Sequence, residues 1–266
     1  MQSKTILSAA AIVFAAGVAA PATADVMKLH PRPGVELRLG VEVRGNERAI
    51  VLLFAGGHGM LHIDEGGQPQ GLRGNFLIRA RNYLAGRGIG VVLVDAPSDH
   101  LGGRGLTGYR TSASHAAEIG VAVAAIRQRF PGKAVWLAGT SNGTISVAAA
   151  AAYLQGAQRP DGVVFTSSIT QQSRINGSVF NVSLANYSGA ALVASHEADG
   201  CRFTPAADAP RLLVALSGAQ PKKLLTFNGG SPPRSEPCEA FSQHGFVGIE
   251  GQVMNAIADF ILRPGS

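Results

Sequence analysis

Three residues that could form a hydrolytic triad follow one another in the order Ser141, Asp199, His244. Ser141 is the centre of the pentapeptide Gly139-Thr140-Ser141-Asn142-Gly143. A serine hydroxyl is a weak nucleophile at neutral pH unless an adjacent base takes its proton. A histidine can be that base, and a carboxylate fixes the tautomer of its imidazole and stabilises its charged form. These residue types in this order predict acyl transfer through a serine nucleophile.

The pattern G-x-S-x-G is weak evidence on its own, because the chain contains 34 glycines. The context strengthens it: the apolar run 134–138 precedes the pattern, and an alanine-rich, helix-like segment begins at Thr144. A sharp turn between a strand and a helix exposes the serine hydroxyl and crowds the positions two before and two after it. Gly139 and Gly143 suit that crowding. The alternative interpretation is that Ser141 only caps the helix.

The base and the acid are both predicted to lie in loops that follow strands. His244 is in a glycine-containing loop after the last apolar run and directly before the last helical segment. Asp199 lies just beyond the run 191–194 and is the preferred acid, with Glu197 in the same loop as the alternative. Asp95 also ends a predicted strand but precedes the serine, so we interpret it as shaping the site or binding backbone groups.

Acyl transfer also requires hydrogen-bond donors for the developing oxyanion. The backbone N–H of Asn142, at the start of the helix after the serine, is one candidate. The second is expected in the glycine-rich loop 56–59, where the amides of Gly57, His58 and Gly59 remain open. The loop lacks the G-K-[ST] ending of a phosphate-binding loop, which argues against nucleotide binding.

Short apolar runs alternate with segments of helical periodicity from residue 50 to the end. The predicted buried strands are 50–54, 91–94, 134–138, 163–165, 191–194 and 224–227. The predicted helices are 76–84, 119–130, 145–154 and 249–260. This alternation predicts an α/β domain, with a mostly parallel central sheet and helices on both faces. The alternating segment 35–43 is expected to add an outer antiparallel strand.

Two long connections are expected to wall the pocket. The connection 170–188 is the longest without a predicted element, and a loop of that length is usually functional or mobile. It is too short to form a large lid domain. The loop 61–72, which follows the first buried strand, is expected to contribute to the same wall.

The N-terminal residues 1–24 have the features of a secretory signal peptide. Lys4 is the positive start, 6–18 is apolar, and Ala22-Thr23-Ala24 is a small-residue cleavage site. An uncleaved anchor is the alternative, although a membrane-spanning helix needs about 20 apolar residues. No later segment is expected to cross a membrane. The sequence therefore predicts a periplasmic or secreted mature domain, 25–266.

The two cysteines, Cys201 and Cys238, form an even pair in a chain expected to be exported, which predicts a disulfide. The alternative is two free buried thiols. A bridge between them would join the loops of Asp199 and His244. The formal net charge of +6 comes from scattered basic residues, which does not indicate a nucleic-acid partner. Metal-ligand spacings such as H-E-x-x-H or C-x-x-C are not found, so no metal is expected.

Four elements in this order, 56–59, 139–143 and the loops of Asp199 and His244, resemble the α/β-hydrolase superfamily over nearly the whole mature chain. The resemblance is nearest to exported, single-domain bacterial hydrolases with a cysteine beside the catalytic acid. The loop 56–59 departs from the family's H-G-x-G stretch, because glycine replaces the histidine. Matched in that register, His58 takes the x position, whose amide completes the oxyanion hole.

What the resemblance implies is a serine hydrolase that needs no cofactor and acts on a small-molecule ester or amide. Esters are favoured because the superfamily contains many esterases, which is an analogy from fold. An amidase or peptidase of the same fold is one alternative. A non-catalytic binding protein that retains the fold is another. The sequence does not predict the natural substrate or the oligomeric state.

Overall fold

The computed structural model of this chain describes residues 24–172 and 175–265. Its centre is an eight-stranded sheet in the order β1-β2-β4-β3-β5-β6-β7-β8. The strands are β1 Asp25–Arg32, β2 Val35–Glu42, β3 Ala49–Phe54, β4 Ile89–Val94, β5 Ala134–Ser141, β6 Gly162–Ser168, β7 Ala190–His196 and β8 Lys222–Phe227. β2 is antiparallel to both of its neighbours, and the strands from β4 to β8 are parallel. The predicted, mostly parallel sheet is confirmed.

The edge of the sheet differs from the sequence expectation in one respect. The segment expected to be the outer strand, 35–43, contains β2, which lies one position inside the edge. The edge strand is β1, which was not predicted. Its residues are exposed or half-buried, so it lacks the continuous apolar run by which the inner strands were recognised.

The described residues form six α-helices, of which five lie between strands and the sixth follows β8. They are α1 Phe76–Ala80, α2 Asn82–Gly86, α3 Ala113–Arg129, α4 Gly143–Tyr153, α5 Ala209–Ala215 and α6 Glu250–Leu262. The predicted helix 76–84 is divided into α1 and α2, with a tighter turn at the junction where the Leu84 N–H bonds to the Arg81 carbonyl. The short helix α5 was not predicted, because seven residues span only two turns of apolar periodicity.

The two faces of the sheet are covered by different helices, as expected. Alternate side chains of β3 point to opposite faces: Ile50, Leu52 and Phe54 join the core beneath α3, α4 and α5. Val51 and Leu53 join the core beneath α1, α2 and α6. This alternation follows from the two-residue period of a strand. It explains why β3 reads as a continuous apolar run.

The connection 170–188 is packed against the domain over part of its length. It contains the short 3₁₀ turn Val179–Asn181. Val179, Leu184 and Tyr187 are buried in the core beside α4 and α5. No connection within the described ranges forms a separate lid domain, which agrees with the expectation from the sequence.

Two predictions concern membranes and export. The predicted signal peptide, 1–24, lies outside the described residues except for Ala24. Contrary to expectation, a later segment, Gln243–Leu262, is long and apolar enough by composition to cross a membrane. Half of its most apolar window is buried inside the protein. Its α-helical part, α6, packs Val253, Ile257 and Phe260 against the sheet, which is how the core helix of a globular domain behaves.

Candidate active site

Ser141 occupies a sharp turn between β5 and α4. Its φ of +53° lies in the left-handed region, which is strained for a residue with a side chain. A Cβ on Gly139 would lie 2.5 Å from the carbonyl oxygen of Gly143, and a Cβ on Gly143 would overlap the carbonyl of Phe54. Both glycines of the pentapeptide are therefore required by the tightness of the turn, as the sequence predicts.

His244 and Asp199 form a hydrogen-bonded pair at the carboxyl end of the sheet. The Nδ1 of His244 is 3.1 Å from the Oδ2 of Asp199, and the two side chains are 5% and 1% exposed. The Ser167 hydroxyl donates to the main-chain carbonyl of His244 at 2.7 Å. The Ser242 hydroxyl accepts the main-chain N–H of His244 at 3.2 Å. These two bonds fix the backbone that carries the imidazole.

Thr204 is a member of this cluster that the sequence analysis missed. Its hydroxyl donates to the Oδ2 of Asp199 at 2.8 Å and lies 3.1 Å from the Nδ1 of His244. The other carboxylate oxygen of Asp199 accepts the N–H of Cys201 at 2.9 Å. A threonine five residues after the acid carries no sequence signal, because only the turn from Cys201 to Thr204 brings it back to the carboxylate.

The second ring nitrogen of His244 is available for chemistry. Its Nε2 is buried and has no hydrogen-bond partner among the described residues. His244 and Ser141 line the same cavity, which has a volume of about 390 Å³. Other residues that line it are Gly56, Gly57, Leu72, Asn75, Phe76, Cys238, Glu239 and Phe241. The structure thus brings a strained serine and an oriented imidazole to one cavity.

The candidate oxyanion donors are in two segments, Asn142 after the serine and the loop 56–59. Asn142 precedes α4, and its side-chain Nδ2 donates to the carbonyl of Gly57 at 3.1 Å. Gly57 lines the cavity that contains Ser141, whereas His58 is not among its lining residues. The His58 carbonyl accepts the N–H of Leu106 at 2.9 Å. The side chain of Asn142 thus joins the start of α4 to the loop 56–59.

Ser141 also borders a second, smaller cavity of about 210 Å³. Ile169, Asn176 and Phe203 line this cavity together with Cys201 and Cys238. The two cysteines form a disulfide with an S–S distance of 2.06 Å, and Cys238 lines both cavities. The disulfide therefore joins the loop after β7 to the loop before His244, beside the serine.

No family model and no curated protein matches the chain. Solved structures do. Among them are a cold-adapted esterase from an Arctic intertidal metagenomic library (TM-score 0.57, 16% identity, 88% of this chain and 92% of that one) and dienelactone hydrolase from Anabaena variabilis (0.60, 15%, 90% and 98%). An α/β serine hydrolase without lid from Xanthomonas campestris is also similar (0.53, 15%, 92% and 95%). The chain has the α/β-hydrolase fold.

Within the α/β-hydrolase fold, the site lies where parallel strands end. Ser141 ends β5, Asp199 follows β7, and the loop after β8 leads to His244. The loop 56–59 follows β3, the neighbour of β5. Ligand sites of open α/β sheets form at the carboxyl ends of the strands. A shared fold does not fix function, which is argued below from the side chains.

The alternative acids have other surroundings. Glu197 is exposed, and its carboxylate accepts only the side-chain amide of Asn228, at 3.4 Å, among the contacts described. Asp95 accepts backbone N–H groups from residues 61–63 and from Ala96, at 2.7–3.2 Å. This is the role of binding backbone groups expected from the sequence. Asp95 thereby holds the start of the loop 61–72, which contributes Leu72 to the larger cavity.

The described residues contain no group of three or more His, Cys, Asp or Glu side chains that could hold a metal ion.

The histidine at the start of α3 is buried in the fold, away from the triad. The main-chain N–H of His115 is capped by the Ser112 hydroxyl, at 3.1 Å. Its ring is buried, and this burial lowers the pKa of the imidazole.

Proposed function

We propose that this protein is a serine hydrolase that cleaves a carboxylic ester through an acyl-enzyme. One observation carries the proposal. The imidazole of His244 is held by Asp199 and has an unpaired Nε2 among the described residues, and His244 lines the same cavity as Ser141. A binding module has no need of a strained serine beside an imidazole that a buried carboxylate orients.

In the proposed mechanism, the Nε2 of His244 takes the proton of the Ser141 hydroxyl while the Oγ attacks the acyl carbon. Asp199 accepts the Nδ1–H, which selects the required tautomer and offsets the positive charge of the imidazolium. The tetrahedral intermediate collapses as His244 gives its proton to the leaving alkoxide. Water then adds to the acyl-enzyme with His244 again as the base, which releases the acid and restores the serine.

The oxyanion would be bound by the backbone N–H groups of Asn142 and Gly57. Asn142 directly follows the nucleophile at the start of α4, and Gly57 lines both cavities that border Ser141. Such donors act on charge that develops in the transition state, and removing one commonly costs about 3 kcal/mol. The side-chain bond from Asn142 to the Gly57 carbonyl would hold the two donors in register.

The larger cavity suits an apolar acyl or alcohol group. Leu72, Phe76 and Phe241 contribute apolar surface, and the volume of about 390 Å³ is that of a small-molecule site. The second cavity that Ser141 borders, of about 210 Å³, would take the smaller part of the substrate. An ester is preferred to an amide because a structurally similar protein is an esterase, and because an alkoxide is a better leaving group than an amine.

We further propose that residues 1–24 are a cleaved signal peptide and that the mature domain, 25–266, is periplasmic or secreted. A disulfide between Cys201 and Cys238 is compatible with an oxidising compartment. Expression with export in a bacterial host, followed by intact-mass measurement, tests this. A chain that begins at Asp25 is expected. Recovery of the full-length chain from the cytoplasm would contradict the proposal.

The nucleophile is tested with a fluorophosphonate probe and a panel of nitrophenyl esters and anilides. Labelling and ester hydrolysis are expected for the wild type and not for Ser141→Ala. Ser168→Ala is the matched control, because Ser168 pairs with Ser141 across β5 and β6 and its buried hydroxyl has no hydrogen-bond partner among the described residues. It should label like the wild type.

Three results separate the alternatives. Equal labelling of the wild type and Ser141→Ala would remove Ser141 as the nucleophile. Faster cleavage of the anilides than of the matching esters would favour the amidase. A folded wild type that neither labels nor hydrolyses any member of the panel would favour the binding protein.

A further inference from the structure

Arg110 is a buried cation outside the triad. The residue is 3% exposed and lies in the segment before α3. Its Nη1 donates to the Ser146 hydroxyl at 2.7 Å. Its Nη2 donates to the carbonyl of Ala55 at 3.0 Å and approaches that of Gly57 at 3.4 Å. The three acceptors are neutral oxygens, one hydroxyl and two main-chain carbonyls, so none of these bonds is an ion pair.

These bonds connect the two parts of the proposed oxyanion site. Ser146 lies on α4, one turn after Asn142, and its side chain is buried. Ala55 and Gly57 belong to the loop after β3. A single rigid guanidinium therefore joins the helix that carries one proposed donor to the loop that carries the other.

The positions of the two carbonyls matter for the donor itself. The peptide units Ala55–Gly56 and Gly57–His58 flank the unit that carries the Gly57 N–H. A peptide unit is planar, so a hydrogen bond to its carbonyl fixes the direction of its N–H as well. With both neighbouring units bonded to Arg110, the orientation of the intervening unit is narrowly restricted.

The loop is shaped to admit this side chain. Gly59 has a φ of +79°, and a Cβ there would lie 2.5 Å from the Nη2 of Arg110 and 2.8 Å from Leu106. Glycine at this position is thus needed for the guanidinium to reach the carbonyls. It gives a reason for the glycine at 59 that is independent of the oxyanion.

Placing a cation at this position carries a solvation cost. Burial without a carboxylate lowers the pKa of the Arg110 guanidinium to about 9, which leaves it charged at neutral pH. A buried charge is expensive to desolvate, and the hydrogen bonds to the Ser146, Ala55 and Gly57 oxygens offset part of that cost.

We propose that Arg110 is a positioning residue that sets the distance between the Asn142 and Gly57 oxyanion donors. This inference rests on the proposed function. Arg110 touches neither Ser141 nor the larger cavity, so it acts through the loop and the helix that it joins.

The test compares Arg110→Met, Arg110→Lys and Arg127→Met with the wild type. Arg127 is a control because it also bonds to a main-chain carbonyl and a side chain, those of Arg159 and Asp161, at the far end of α3. The measurements are kcat and KM for a nitrophenyl ester, the inhibition constant of a phenylboronic acid, and the melting temperature. The boronic acid is informative because its tetrahedral adduct with a serine mimics the oxyanion.

For Arg110→Met we expect kcat to fall about 10- to 100-fold, less than for outright removal of a donor. Boronate binding should weaken by a similar factor, with KM within about threefold of the wild type. The melting temperature should fall modestly, because the buried oxygens lose this donor, while the protein stays folded at the assay temperature. Arg110→Lys should recover part of kcat, because an ammonium can donate to one carbonyl but lacks the planar fork. Arg127→Met should keep both kcat and the inhibition constant.

Unchanged kcat and boronate binding in folded Arg110→Met would overturn the inference while leaving the serine hydrolase intact. A kcat loss that follows the melting temperature, with boronate binding preserved, would also overturn it. If Arg110→Met does not fold, Ser146→Ala takes its place. It removes the anchor on α4, and undiminished kcat and boronate binding there would contradict the proposal. Failure of the proposed function is recognised separately, as a wild type without Ser141-dependent labelling.

Discussion

Removal of the disulfide is expected to lower the melting temperature while leaving kcat for a small ester nearly unchanged. The bond joins Cys201 to Cys238, at a sequence separation of 37. In the chain-entropy model, closing a loop of this length stabilises the folded state by about 4 kcal/mol. For a domain of this size, each kcal/mol shifts the melting temperature by about 2–4 °C. The variant Cys201→Ala/Cys238→Ala should therefore melt about 8–16 °C lower than the wild type.

The chemistry should survive, because the imidazole is anchored without the disulfide. The Ser167 and Ser242 hydroxyls bond to the main chain of His244, and Arg79 bonds to the carbonyl of Gly245 at 2.6 Å. The loop around Cys238 is exposed, and Cys238 itself lines both cavities. We expect kcat for a small acetate ester to change less than about threefold. KM for bulkier esters should rise, since Cys238 forms part of both cavity walls.

The assay combines calorimetry, ester kinetics and intact mass after alkylation. Mass measurement establishes that the wild-type bond is formed, and reduction of the wild type with a dithiol should reproduce the double variant. The reasoning is refuted if the oxidised wild type and the double variant melt within about 3 °C of each other. A kcat loss of two orders of magnitude at unchanged KM would show instead that the bond positions His244 directly.

Three further predictions concern the triad and a buried histidine. Asp199→Asn should lower kcat by about four orders of magnitude with little change in melting temperature, because an amide supports the wrong tautomer; near-normal turnover would return the role of acid to Glu197 or Asp95. Thr204→Val should lower kcat about tenfold through loss of a charge-assisted hydrogen bond, whereas Thr204→Ser should retain it. Burial lowers the pKa of His115, so the unfolded chain binds more protons below about pH 6.5 and stability should fall as the pH decreases from 6.5 to 5. His115→Gln should show a shallower fall in chemical denaturation, and an identical slope would contradict this assignment.

The inner strands of the sheet could be predicted because burial on both faces produces continuous apolar runs in the sequence. Ile50 to Phe54 is apolar throughout, since alternate residues enter the two cores on opposite sides of β3. The edge strand β1 lacks this signal, because its side chains are exposed or half-buried. Short elements such as α5 were missed for a related reason: their position is decided by packing on β7, not by a periodicity that seven residues can display.

The candidate site was predicted where a side chain and its local turn belong to the same short segment. Ser141 is such a case, because Gly139 and Gly143 lie within two residues and are needed for the turn. Thr204 and Arg110 are the opposite case. Thr204 meets its partners through a turn and a bond to His244, 40 residues away, and Arg110 reaches carbonyls more than 50 residues earlier. An ordinary threonine or arginine in a loop reveals no such contact.

In the loop 56–59, a glycine pattern does not by itself distinguish the candidate oxyanion donors. Matching the loop to H-G-x-G places His58 at the donor position. In the structure, β3 ends at Phe54, and a Cβ on Gly56 would lie 2.9 Å from the Cβ of Ser141. Gly56 is therefore the residue that must be small for the loop to approach the serine. The next residue, Gly57, lines the cavity, and for this reason we propose its amide as the donor in place of that of His58.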